Sequence, residues 1–100
     1  MTRTLRGVGP CVIRASTSQS ESVSINELTS LTVYGPPSWQ GVATFLVTDG
    51  ANWMTLMVQG QPLTISGGQA VCVKAPNSIA FCLKSMQIEP NDVSFTVLGS

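Results

Sequence analysis

The stretch Ala43–Val58, ATFLVTDGANWMTLMV, decides the fold. Two apolar-rich runs flank Asp49-Gly50-Ala51-Asn52. Asp-Gly is a favoured hairpin turn because glycine takes positive φ without steric cost. The pattern predicts a β-hairpin of Val42–Thr48 against Trp53–Val58. The same punctuation recurs in both directions, with β-branched and aromatic runs broken by Gly, Pro, Asn and Asp. Upstream, strands are expected near Cys11–Ala15, Glu21–Glu27 and Thr29–Tyr34. A serine-rich link, Ser16–Ser20, and a rigid loop, Gly35-Pro36-Pro37-Ser38, separate them. Downstream, Gln61–Ile65 is a short strand and Ser66-Gly67-Gly68 a turn. Ala70–Lys74 and Ile79–Lys84 are expected to pair across Pro76-Asn77-Ser78. The loop Glu89-Pro90-Asn91-Asp92 then leads to a last strand, Val93–Leu98.

The one candidate helix, Ser22–Leu28, alternates Val23 and Ile25 with Ser22, Ser24 and Asn26, so period two prevails over period 3.6. Eight or nine short strands at a spacing of roughly ten residues specify an all-β chain. The expected fold is an antiparallel β-sandwich of about eight strands without significant helix. One hundred residues make a single domain. Residues 1–20 read as an N-terminal arm carrying a strand, and residues 21–100 as the sandwich.

Alternation sorts the faces. Phe45 and Val47 point one way, and with a hairpin loop of Asp49–Asn52 they face Met54, Leu56 and Val58 across the ladder. The opposite face carries Thr44, Leu46, Thr48, Trp53, Thr55 and Met57. Three of those six are large and apolar, whereas a sheet face turned to water is normally polar. Leu46, Trp53 and Met57 are therefore the candidate interface. In the Ala70–Lys84 hairpin the same logic puts Val71, Val73, Phe81 and Leu83 in the core. Cys72 is then opposite Cys82 on the outward face. Val93, Phe95 and Val97 point inward.

Composition narrows the function. Charged residues make up 10% of the chain and net charge is zero, against about 25% charged in an ordinary soluble domain. Weak charge repulsion favours association, so a homo-oligomer is expected. Arg3, Arg6 and Arg14 cluster near the N-terminus, but no basic patch exists, which argues against nucleic acid. No apolar run approaches the ~20 residues that span a bilayer, and MTRTLRGVGP lacks the apolar core of a signal peptide. Membrane association is not expected, and the chain is expected to be made in a cytoplasm. The three cysteines, Cys11, Cys72 and Cys82, form no CxxC pair, and an odd count does not suit a disulfide framework. Free thiols are expected.

The sequence contains no histidine, so Ser/His/Asp and Cys/His nucleophiles cannot be assembled. The five acids, Glu21, Glu27, Asp49, Glu89 and Asp92, are scattered singly. Neither a glycosidase pair nor a metal cage is evident. No P-loop or GxGxxG is present. No catalytic residue, cofactor or metal is expected, and the chain reads as non-enzymatic. Tyr34, Trp39 and Trp53 are three aromatics within twenty residues. Trp39 or Trp53 exposed in a groove would be a sugar-stacking platform; packing behind the Pro-Pro loop is the alternative role for Trp39.

The order Tyr34-Gly35-Pro36-Pro37-Ser38-Trp39, Val42–Val47, Thr48-Asp49-Gly50, Asn52–Leu56, Ala70-Val71, Ile79–Ser85 and Phe95-Thr96-Val97-Leu98 resembles small jelly-roll-like β-sandwich structural proteins of tailed bacteriophages. The resemblance covers roughly residues 20–98, and its motifs are turn and core motifs. The chain departs from the pattern at Leu46 and Met57, where such strands often carry polar residues. The resemblance implies a virion structural protein, foremost a capsid decoration (cement) protein. Such a protein would be a homo-oligomer, with a trimer favoured, bound to the major capsid protein of the virion. A head-fibre or tail-fibre base module and a carbohydrate-binding β-sandwich module are the alternatives.

Overall fold

The computed structural model describes residues 6–26, 28–74 and 79–100. These contain eleven strands: β1 (Arg6–Ile13), β2 (Val23–Ser24), β3 (Ser30–Tyr34), β4 (Val42–Thr48), β5 (Trp53–Thr55), β6 (Met57–Val58), β7 (Gln61–Pro62), β8 (Thr64–Ser66), β9 (Ala70–Lys74), β10 (Ala80–Ser85) and β11 (Val93–Gly99). No helix occurs among the described residues. One sheet has the order β1-β11-β3-β9. The other has the order β2-β10-β4-β5, with β8 on β4 beside β5. Every pairing is antiparallel. The chain crosses repeatedly between the two sheets, as a jelly-roll-like sandwich requires.

Most of the residues that alternation assigned to the inner faces lie there, Met54 and Val58 excepted. Phe45, Phe81 and Phe95 are fully buried, together with Ile13, Val33, Leu83 and Val97. Phe45 and Phe81 stack at 6.0 Å between ring centroids, bridging the two central strands β4 and β10. Each such side chain contributes about 1.5–3 kcal/mol by leaving water.

The central hairpin closes as expected. Thr48 lies opposite Trp53 and Val47 opposite Met54, which leaves Asp49–Asn52 as the loop. The Asp49 carboxylate accepts from the backbone N–H groups of Ala51 (2.9 Å) and Asn52 (3.1 Å). These two bonds hold its pKa below the ordinary carboxylate value.

Three expectations change. First, the strand expected near Cys11–Ala15 begins and ends earlier: β1 pairs along β11 from Arg6↔Gly99 to Ile13↔Val93, and Cys11 and Ile13 lie in the core. The serine link continues the second sheet, with Ser20 N–H donating to the Leu83 carbonyl and Ser85 N–H to that of Ser18. A polar composition concealed these ladder bonds, because backbone pairing is indifferent to serine side chains.

Second, β9 and β10 do not form a hairpin. β9 pairs with β3 in one sheet and β10 with β4 in the other. The proposed loop Pro76–Ser78 lies outside the described residues. Val73, Phe81 and Leu83 are buried as assigned, but Cys72 sits across from Thr32 and is exposed, while Cys82 sits across from Leu46 and is buried. Alternation fixes which way a side chain points, and not which strand lies beside it.

Third, the strand Trp53–Val58 stops short. Leu56 still bonds to Phe45, but Met57 and Val58 leave the sheet. They pair with Gln61 and Pro62 as a small separate hairpin. Its two-residue turn, Gln59-Gly60, has positive φ at both positions (53° and 80°), as the primed turns of tight hairpins require.

Candidate functional site

The first candidate region is the free edge of the second sheet. β5 has β4 on one side and, among the described residues, no strand on the other. Trp53 is 44% exposed and Met54 55%. From the end of β5 the 57–62 hairpin projects, anchored by Leu56 and Leu63. Those two leucines bond to each other through the backbone and pack on the core. On the hairpin, Met57 is 52% and Val58 46% exposed.

Proteins usually protect a sheet edge with charge, proline or brevity. Here the β9 edge ends in Lys74, β1 contains Pro10, and β2 has two residues. β5 has three residues, but the chain carries no charged side chain between Asp49 and Lys74. The result is an uncharged band of Trp53, Met54, Met57 and Val58 on an uncovered edge. Trp53 and Met54 point to opposite sides of β5, so apolar surface is exposed on both flanks of the edge, the kind of surface on which partners dock.

Of the sequence-assigned interface residues, Trp53 and Met57 belong to this band. Leu46 lies one strand inward, opposite Thr55 and Cys82, and is half-buried. Met54 and Val58 had been assigned to the core. Met54 shares the inward face with Val47, but β5 is the last strand of its sheet. Val58 has left the sheet altogether.

The second candidate region is a cleft of about 600 Å³ at the end of the sandwich near the Pro-Pro loop. Pro36, Trp39, Pro90 and Val93 supply its apolar lining. Its organising residue is Glu89, which is 3% exposed. One carboxyl oxygen accepts the Trp39 indole N–H at 3.1 Å, and the other accepts the Ser85 hydroxyl. The Glu89 backbone N–H donates to the Thr17 carbonyl at 2.9 Å, and its carbonyl accepts from Ser16 N–H at 2.7 Å. One residue thus joins the 14–17 segment, the 36–41 loop and the 85–92 loop.

Trp39 packs edge-to-face with Phe95 at 5.2 Å. Two glycines let it approach: a Cβ on Gly41 would come within 2.5 Å of the indole ring, and one on Gly67 within 1.7 Å of the Trp39 carbonyl. Trp39 therefore does pack behind the Pro-Pro loop, and it also lines the cleft. Sequence reading assigned Glu89 only to a turn. Its position in a polar loop, next to Pro90, gives no local sign that it is buried.

The remaining functional groups are dispersed. Asp92 accepts from the Ala15 backbone N–H at 2.7 Å and pairs with exposed Arg14 at 3.4 Å. No three His, Cys, Asp or Glu side chains converge among the described residues. Among the described residues no helix is long and apolar enough to cross a membrane. Cys11 and Cys82 are buried. Burial pushes both thiols up, Cys82 to about 11 with the nearby Cys11 adding to the effect. Met86 and Ile88, on the 85–92 loop, are 75% and 69% exposed.

No family model matches the chain, and no curated protein does. Among solved structures it is similar to the SPBc2 prophage-derived protein YomS, at a TM-score of 0.67 and 13% identity over 96% of this chain and 90% of that one. It is also similar to a Cupin_2 domain of an XRE-family transcriptional regulator from Enterobacter cloacae, at a TM-score of 0.47 and 10% identity over 96% and 93%. The YomS likeness establishes a shared β-sandwich fold.

Proposed function

We propose that this protein is a non-enzymatic bacteriophage structural protein of the virion. Its foremost role in this reading is that of a capsid decoration (cement) protein which oligomerises and docks on the major capsid protein. The observation that carries the reading is the uncharged, apolar edge formed by Trp53, Met54, Met57 and Val58 on a chain with 10% charged residues. A partner that covers this edge removes the apolar surface from water and can complete the β5 ladder. The fold shared with a prophage-derived protein supports the phage assignment. The mechanism is interfacial: strand addition and apolar burial tie neighbouring capsid subunits together.

Met57→Asp is the direct test. The side chain stands on a projecting hairpin, so the domain should remain folded while self-association and capsid occupancy fall. Full occupancy of the variant on purified capsids would remove this edge from the mechanism. Labelling of the tail instead of the head by an antibody to the chain would favour the fibre-base assignment.

A further inference from the structure

We infer that the cleft beside Trp39 is a binding site for a neutral oligosaccharide, separate from the apolar docking edge and independent of its role. Charge is the first argument. Among the described residues no lysine or arginine lines the cleft, so its described walls offer no cationic partner to a phosphate or sulfate. Of its two acids, Glu89 has both carboxyl oxygens occupied by Trp39 and Ser85, and Asp92 is engaged by Arg14 and the Ala15 backbone. Neither is left free to recognise a cation.

The second argument is the kind of polar group that remains. Gln40, Gln87 and Asn91 present three side-chain amides, and Ser38 and Ser94 two hydroxyls, all exposed around the cleft. Amides both donate and accept, which is how vicinal hydroxyl groups are read. Trp39 and two prolines supply the apolar surface on which the C–H face of a sugar ring packs.

The third argument is rigidity. Glu89 and Phe95 fix the indole, and the Glu89 backbone fixes the 85–92 loop against residues 16 and 17. The cleft is therefore preformed, and binding need not order its walls. A volume of about 600 Å³ lies within the range of small-ligand sites.

The test uses the full chain labelled with ¹⁵N. Its two tryptophans give two indole N–H resonances, one in the cleft and one on the docking edge as an internal control. Maltotetraose, cellotetraose and chitotetraose are titrated separately. The expected result is a saturable shift of the Trp39 resonance with at least one of them, with Kd on the order of 1 mM, while Trp53 stays in place. A Gln87→Ala/Asn91→Ala double variant alters only exposed side chains and should weaken that binding at least about tenfold, the loss of roughly 1.4 kcal/mol. The proposal is overturned if none of the three moves the Trp39 resonance, or if the double variant binds as the wild type does. A shift confined to Trp53 would overturn it too, and would put sugar binding on the β5 edge instead.

Discussion

Replacing Glu89 with alanine should be among the most destabilising single changes in this chain. The side chain is 3% exposed and accepts from the Trp39 indole at 3.1 Å and from the Ser85 hydroxyl. Alanine removes both acceptors and leaves the buried Ser85 hydroxyl and the half-buried Trp39 indole N–H without these partners, at roughly 1–3 kcal/mol each. Freedom from burying the carboxyl group offsets part of this loss. The net cost is about 3 kcal/mol. With a urea m-value of about 1.5 kcal/mol/M for a domain of this size, the unfolding midpoint should fall by about 2 M. Glutamine keeps an acceptor for Trp39 and presents an amide to the Ser85 hydroxyl, which can rotate to accept. That variant should lose only about 1 kcal/mol. Tryptophan fluorescence follows the transition, because Trp39 lies at the affected contact. A loss below about 0.5 kcal/mol for Glu89→Ala, the scale of an ordinary surface change, would refute the idea that this residue holds three segments together.

Other consequences are equally specific. Met57→Asp should change stability by less than about 0.5 kcal/mol yet lower the sedimentation coefficient of the assembled protein. Gly67→Ala should cost more than about 2 kcal/mol by urea unfolding, because its Cβ would meet the Trp39 carbonyl at 1.7 Å and backbone must move. Thiol labelling should modify Cys72 rapidly in the native protein and Cys11 and Cys82 only after unfolding, since Cys72 alone is exposed. Stability should also decline in alkali. The native Cys82 thiol keeps its proton to about 11, whereas an ordinary thiol loses it near 9.0. The contribution is therefore complete below pH 9.0 and disappears as pH approaches 11. In Cys82→Ala the decline of the urea midpoint across that window should be shallower.

What the sequence disclosed follows the range of the interactions involved. The Asp49–Asn52 loop was legible because an Asp-Gly turn and its flanking alternation are local. Inward positions such as Phe45, Phe81 and Phe95 were legible for the same reason. The separation of Cys72 from Cys82 was not, because crossing between sheets is decided by distant strands. The 57–62 hairpin was not legible because Gln59-Gly60 is a weak form of the Asn-Gly signal, and Met57-Val58 continues the apolar run of β5 without a break. The exposure of Trp53 and Met57 was legible from their place in the alternation, although Met57 owes it to the separate hairpin. The exposure of Met54 was not, because it depends on β5 being an edge. Glu89 was hidden most completely: its partners lie fifty residues away at Trp39 and four away at Ser85, and neither spacing is a recognised motif.

Electron cryo-microscopy of the virions of a phage that encodes this chain tests the central reading most directly. The account predicts density for the sandwich on the outer surface of the head, with β5 and the 57–62 hairpin buried against a neighbouring subunit or the capsid shell. Virions that lack the chain, or that display it with Trp53, Met54, Met57 and Val58 turned to solvent, would contradict it.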